Sequence, residues 1–171
     1  MILTCHLLAG AAIAAGIPNF ALGLLLAFLS HYFLDLIPHR EYSVGNIFEK
    51  RWRKSRFDFL KAFLDFSLGV LLIFILSKNF IPALLGGLSA LLPDGLVLLY
   101  LIFEETGPQP FPTSEQESRL FFSIKKRGFN LLKQLREVHL RVHFWKNKRI
   151  PLFWKIQSQV LVIVLAIIFL R

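Results

Sequence analysis

The chain has 171 residues, 55% of them hydrophobic, a mean hydropathy of +0.57 and a net charge of +9 with a pI near 10.1. That length allows one domain, and the apolar share exceeds the roughly 45–50% of soluble domains, which excludes an ordinary water-soluble fold. One cysteine, Cys5, excludes an intrachain disulfide framework and cysteine-based zinc spacings. In so apolar a chain, lysine and arginine massed beside an anionic lipid surface account for the charge, so nucleic acid is not the expected partner.

Met1 to Ile17 is apolar apart from Thr4, Cys5 and His6 and has no lysine or arginine before the apolar run, so it reads as a retained first span rather than a signal peptide. Gly16-Ile17-Pro18-Asn19 carries turn chemistry. A second span, Phe20 to Ile37, follows and contains Ser30, His31 and Asp35, with Pro38 and His39 at its end. His31, Asp35 and His39 recur at i, i+4 and i+8, one face of a helix, and ionisable groups inside a span default to function.

The loop from Pro38 to Arg56 is basic. Phe57 to Leu76 forms a third span with Asp58, Lys61 and Asp65 in its first half, Ser77-Lys78-Asn79 turns the chain, and Phe80 to Phe103 is a fourth span interrupted by Pro93-Asp94-Gly95. Residues 104–150 follow as a cytoplasmic loop with a basic amphipathic helix, apolar at Phe121, Ile124, Phe129, Leu131, Leu132, Leu135 and Val138, expected on the membrane surface. From Glu137 to Trp145 the pattern leaves helix and strand open. Pro151 to Leu170 is a fifth span, with Trp145 and Trp154 as interfacial anchors.

Lysine and arginine concentrate in the loops after spans two and four. The positive-inside rule then puts the N-terminus and both long loops in the cytoplasm of a multi-pass protein of the inner (plasma) membrane. The lipid bilayer with its anionic headgroups is the expected partner.

An offset of 59 residues pairs His6 with Asp65, Gly10 with Gly69, Ser30 with Ser89 and Asp35 with Asp94. The expected fold is therefore all-α and polytopic. Duplicated helical hairpins, about 1–39 and 60–98, form a four-helix bundle over residues 1–103, and the surface helix and the C-terminal span (151–171) complete it.

His6 lies 12 residues before Pro18 and His31 lies 13 after it, about 18–20 Å from that tip. Asp65 lies 14 before Asn79 and Asp94 lies 15 after it, about 21–23 Å. His6, His31, Asp35, Asp65 and Asp94 thus share one layer near the cytoplasmic interface, a donor set suited to a divalent metal ion such as zinc, manganese or magnesium. Private pairing or snorkelling to water is the bland alternative, with Lys61 able to pair with Asp65. Asp58 is expected in water, and His139 and His143 on the surface near phosphate headgroups. Ser30, Ser89, Gly10 and Gly69 are expected to serve close helix packing.

His6-Leu7-Leu8-Ala9-Gly10 together with Leu91-Leu92-Pro93-Asp94 resembles the membrane-bound metal-dependent hydrolases of the YdjM-like kind, over residues 1–103. The family's His-Arg-Gly-x-Thr-His stretch is absent, and the resemblance implies that Ser30-His31, Asp35 and Pro38-His39 take its place. It further implies metal-dependent hydrolysis of a lipid-like anion or phosphoester, with His39 as base or proton shuttle. Two other classes fit the layer: a proton- or cation-coupled transporter, and a non-catalytic membrane scaffold.

Overall fold

The computed structural model describes residues 2–39, 45–49, 51, 53–105, 130–139, 141–142 and 150–171. The described residues are helical, with no strand among them: α1 (Leu3–Gly16), α2 (Phe20–Leu36), α3 (Gly45–Phe48), α4 (Arg56–Leu76), α5 (Phe80–Glu105), α6 (130–139) and α7 (Leu152–Leu170). α6 settles helix for the described part of the 137–145 stretch, which continues helical at 141–142. His143 and residues 106–129, with most of the expected surface helix, lie outside the described residues.

Local chemistry sets the helix ends. Asn19 caps α2 through its side-chain oxygen, which accepts from the Leu22 N–H at 3.1 Å. At the other end, Pro38 holds Ile37 extended (φ −80°, ψ 135°) and stops the helix. α1 has no side-chain cap of its own. Its exposed donors are taken across the structure by Asp65 on α4, which accepts from Leu3 N at 2.6 Å and from Thr4 Oγ1 at 2.5 Å. A carboxylate there also faces the positive end of the helix dipole.

α4, α5 (through Ile102) and α7 are long and apolar enough to cross a membrane. α1 and α2, at 14 and 17 residues, are shorter, about 21 and 26 Å against a hydrocarbon core of about 30 Å. The shortfall has a structural counterpart for α1, which packs against α2, α4, α5 and α7 rather than forming an outer wall. Leu7, Leu8 and Ala11 fill the core with Ile73, Ala83 and Ala166.

The outer faces are the most apolar part of the molecule. Phe33, Phe63, Phe74, Ile81, Phe153 and Phe169 are exposed, while His6, His31 and Asp35 are buried. Polar inside and apolar outside inverts the pattern of water-soluble proteins.

α1 and α5 meet at backbone contact. A Cβ on Gly10 would stand 2.5 Å from the Gly86 carbonyl oxygen and 2.6 Å from Ala90 Cβ. Only glycine permits this approach, as in small-residue helix pairs in membranes. One turn from Gly10 on α1 is His6, and one turn from Ala90 on α5 is Asp94, so the contact sets these two side chains near each other.

A candidate metal centre

His31 occupies the middle of the centre. It stacks between His6 (ring centroids 4.3 Å apart) and His139 (5.3 Å). Its Nδ1 lies 2.9 Å from the carbonyl oxygen of Ala90 on α5. A carbonyl oxygen only accepts, so Nδ1 carries the proton and donates, which leaves Nε2 as the atom of this ring that could hold a metal ion. Pro93 inside α5 lacks the backbone N–H that would bond the Ser89 carbonyl, one residue before Ala90.

Nε2 faces two carboxylates and a second imidazole. His31 Nε2 is 3.1 Å from Asp35 Oδ2, 3.7 Å from Asp94 Oδ1 and 3.4 Å from His139 Nδ1. His139 Nε2 in turn lies 3.6 Å from Asp94 Oδ1. His6 Nε2 is 3.3 Å from Asp35 Oδ1, but neither ring nitrogen of this wholly buried side chain makes a hydrogen bond. A buried polar atom without a partner costs about 1–3 kcal/mol, and two on one ring call for an explanation.

A cation held at one ring nitrogen would account for one of the two. Two ligands each 2.0–2.1 Å from a tetrahedrally bound ion stand about 3.3–3.4 Å apart, and the separations here, 3.1 to 3.7 Å, bracket that spacing. Two triads, His6–His31–Asp94 and His31–Asp35–His139, each bring one ligand atom per residue within 4.8 Å of the others. Both need His31, whose Nδ1 is committed to Ala90, and one nitrogen lone pair serves one ion. The two triads therefore adjoin at His31 Nε2. Asp94, a third exposed, gives that centre its opening, whereas His31 and Asp35 are sealed.

The layer expected from the sequence is thus assembled for His6, His31, Asp35 and Asp94. Asp65 is a correction: its carboxylate is spent on the N-terminus of α1 and belongs to neither triad. Depth along a helix does not fix direction around it, and the unsatisfied N–H groups of α1 at the same level compete for the same carboxylate. Lys61 is 3.2 Å from Asp58. Asp58, expected in water, is buried and also accepts from the backbone and side chain of Asn46, tying α3 to α4.

His39 borders the centre, its Nε2 3.9 Å from Asp35 Oδ1 and its Nδ1 2.7 Å from the Ile37 carbonyl oxygen. Ser158 of α7 donates to the Pro38 carbonyl at 2.7 Å and so holds the segment that carries His39. Ser30 bonds back to Ala27 of its own helix, and Ser89 reaches the Leu24 carbonyl across to α2, as packing residues do.

His139 is the second correction. Expected on the surface, it is buried in the centre. α6 delivers it by packing Leu132 against the cluster of Val97, Tyr100 and Leu101 and by setting Arg136 over the Tyr100 ring. Leu132, Arg136 and His139 follow at i, i+4 and i+7, one helical face, and that face was the available signal.

No family model matches the chain, and no curated protein or solved structure matches it.

Proposed function

We propose that this chain is an integral-membrane, metal-dependent hydrolase that acts on an anionic amphiphile or phosphoester. The carrying observation is His31: its Nδ1 donates to Ala90, and its Nε2 faces two carboxylates that cannot donate to it. His6, with both ring nitrogens buried and unpartnered, supports the same reading.

In this account His31, Asp35, Asp94, His139 and His6 hold the ion. A divalent ion there supplies Lewis acidity, polarising a substrate oxygen and making water more acidic. Three imidazoles with two carboxylates favour a zinc-like transition ion over magnesium, which prefers oxygen ligands and retained water. Asp35, wedged between His6, His31 and His39, orients all three rings. His39 accepts or relays a proton at Nε2, while its Nδ1 is held by Ile37. The partial exposure of Asp94 is the side from which a substrate headgroup enters.

The proposal keeps the five-span arrangement, with duplicated hairpins packed as a bundle in the plasma membrane and the long loops cytoplasmic. Equal connections support the duplication: α1 ends at Gly16 and α2 begins at Phe20, while α4 ends at Leu76 and α5 begins at Phe80. The orientation rests on the basic loops. Membership in the YdjM-like hydrolases is part of the same proposal.

The test is hydrolysis by the detergent-purified protein of short-chain phosphomonoesters, phosphodiesters and carboxylic esters, before and after metal removal. The expected result is turnover of a phosphate-bearing substrate that returns with added metal and is lost in Asp35→Asn. Ion flux into liposomes that depends on Asp35, without hydrolysis, would replace this reading with a transporter.

A further inference from the structure

Arg136 is a polar group that the metal centre leaves unused. Its Nε is buried without a hydrogen-bond partner, and its guanidinium lies 5.3 Å from the centroid of the buried Tyr100 ring. Among the described residues no carboxylate pairs with it. On α6 it stands three residues before His139, so the two share one face, with Cβ atoms about 5–6 Å apart. Tyr100, the platform beneath it, is six residues beyond Asp94 on α5, about 9 Å along the helix axis. A fixed positive charge thus stands on the α6 face that carries His139, one turn from it.

We infer that Arg136 receives the phosphate group of the substrate, which makes the substrate class a phosphate ester; this rests on the metal-centre reading above. A guanidinium stacked on an aromatic ring keeps its edge free, and its planar fork matches two oxygens of a tetrahedral phosphate. A phosphate ester is an anion at rest, so a resting positive charge beside the centre stabilises its binding. A carboxylic ester is neutral until the reaction begins and gains nothing from it in the bound state.

The experiment uses the full chain in detergent, loaded with zinc, with inorganic phosphate titrated by calorimetry and metal content measured on the same samples. Arg136→Gln removes the contact with Tyr100 that helps seat α6, so it is compared at matched metal content, where its affinity for phosphate is expected to fall by about ten- to a hundredfold, the range for one charge-assisted hydrogen bond. Arg136→Lys keeps the charge and the apolar stem without the fork, so its affinity is expected to fall between the two and it serves if the Gln variant misfolds. A parallel titration with dihexanoyl phosphatidate distinguishes the sources: tighter binding than phosphate assigns the site to a lipid headgroup, equal binding to a water-soluble ester. Unchanged phosphate affinity in both Arg136 variants, with metal in place, overturns the inference alone. Absence of metal from the wild-type protein overturns the underlying reading and the inference with it.

Discussion

His31 Nδ1 stands 2.9 Å from the carbonyl oxygen of Ala90, the residue 59 positions further along the chain. The same offset separates Asp35 from Asp94, and both carboxylates approach His31 Nε2. The second hairpin therefore offers a backbone oxygen where the first has an imidazole. That asymmetry brings the two helices together at His31, which α5 orients beside Asp35 of α2.

Replacing His31 tests that orientation. His31→Leu removes the ligand and strands the Ala90 carbonyl. Metal affinity is expected to fall by more than the 10–100-fold typical of a supporting residue, to beyond about a hundredfold. Stability is expected to drop by about 1–3 kcal/mol from the orphaned acceptor. Metal titration and thermal melting of the purified variant measure the two effects separately.

Asp65 and Asp94 are expected to behave oppositely, although they lie at similar depth. Asp65→Ala leaves the Leu3 and Thr4 N–H groups without their acceptor, while the Thr4 hydroxyl keeps the Asp65 backbone carbonyl, so it is expected to cost about 1–3 kcal/mol while metal stoichiometry survives. Asp94→Ala is expected to weaken metal binding with little change in the melting of the metal-free protein. Elemental analysis set beside melting curves separates the cases.

The glycine contact makes a geometric prediction. Gly10→Val must push α1 away from Gly86 and Ala90, at about 1–3 kcal/mol or more for overpacking, and it displaces His6 from the centre. Gly16→Ala meets nothing within 4 Å and is the matched control, expected to leave melting and metal content near those of the wild type.

Metal removal and acid act in the same direction. Ligating histidines must be unprotonated and aspartates ionised, so metal affinity is expected to fall as pH falls, with protons released on binding. With free zinc at a hundred times its Kd, the metal-bound protein is expected to be about 2.7 kcal/mol more stable than the stripped one. Melting with and without a chelator, repeated across pH, measures this, and curves that coincide would contradict it.

Much of the fold was legible in the residues because turn and cap chemistry sits where the apolar runs end. Asn19 and Pro38 bound α2, and Asn79 precedes α5, within a residue or two of the expected limits. His6, His31, Asp35 and Asp94 were found by counting residues from the hairpin tips, since rise per residue converts sequence distance into depth. The same count drew in Asp65, because depth carries no information about direction around a helix or about which N–H groups need an acceptor. His139 escaped for a different reason: α6 lies outside both hairpins, and only its packing through Leu132 and Arg136 against α5 brings that histidine to His31.

The central claim is that His6, His31, Asp35, Asp94 and His139 form one metal centre. Native mass spectrometry with elemental analysis of the detergent-purified protein tests it most directly. The account predicts one transition-metal ion per chain, lost in Asp35→Asn and in His31→Leu. Wild-type protein without stoichiometric metal, or metal content unchanged in both variants, would contradict it.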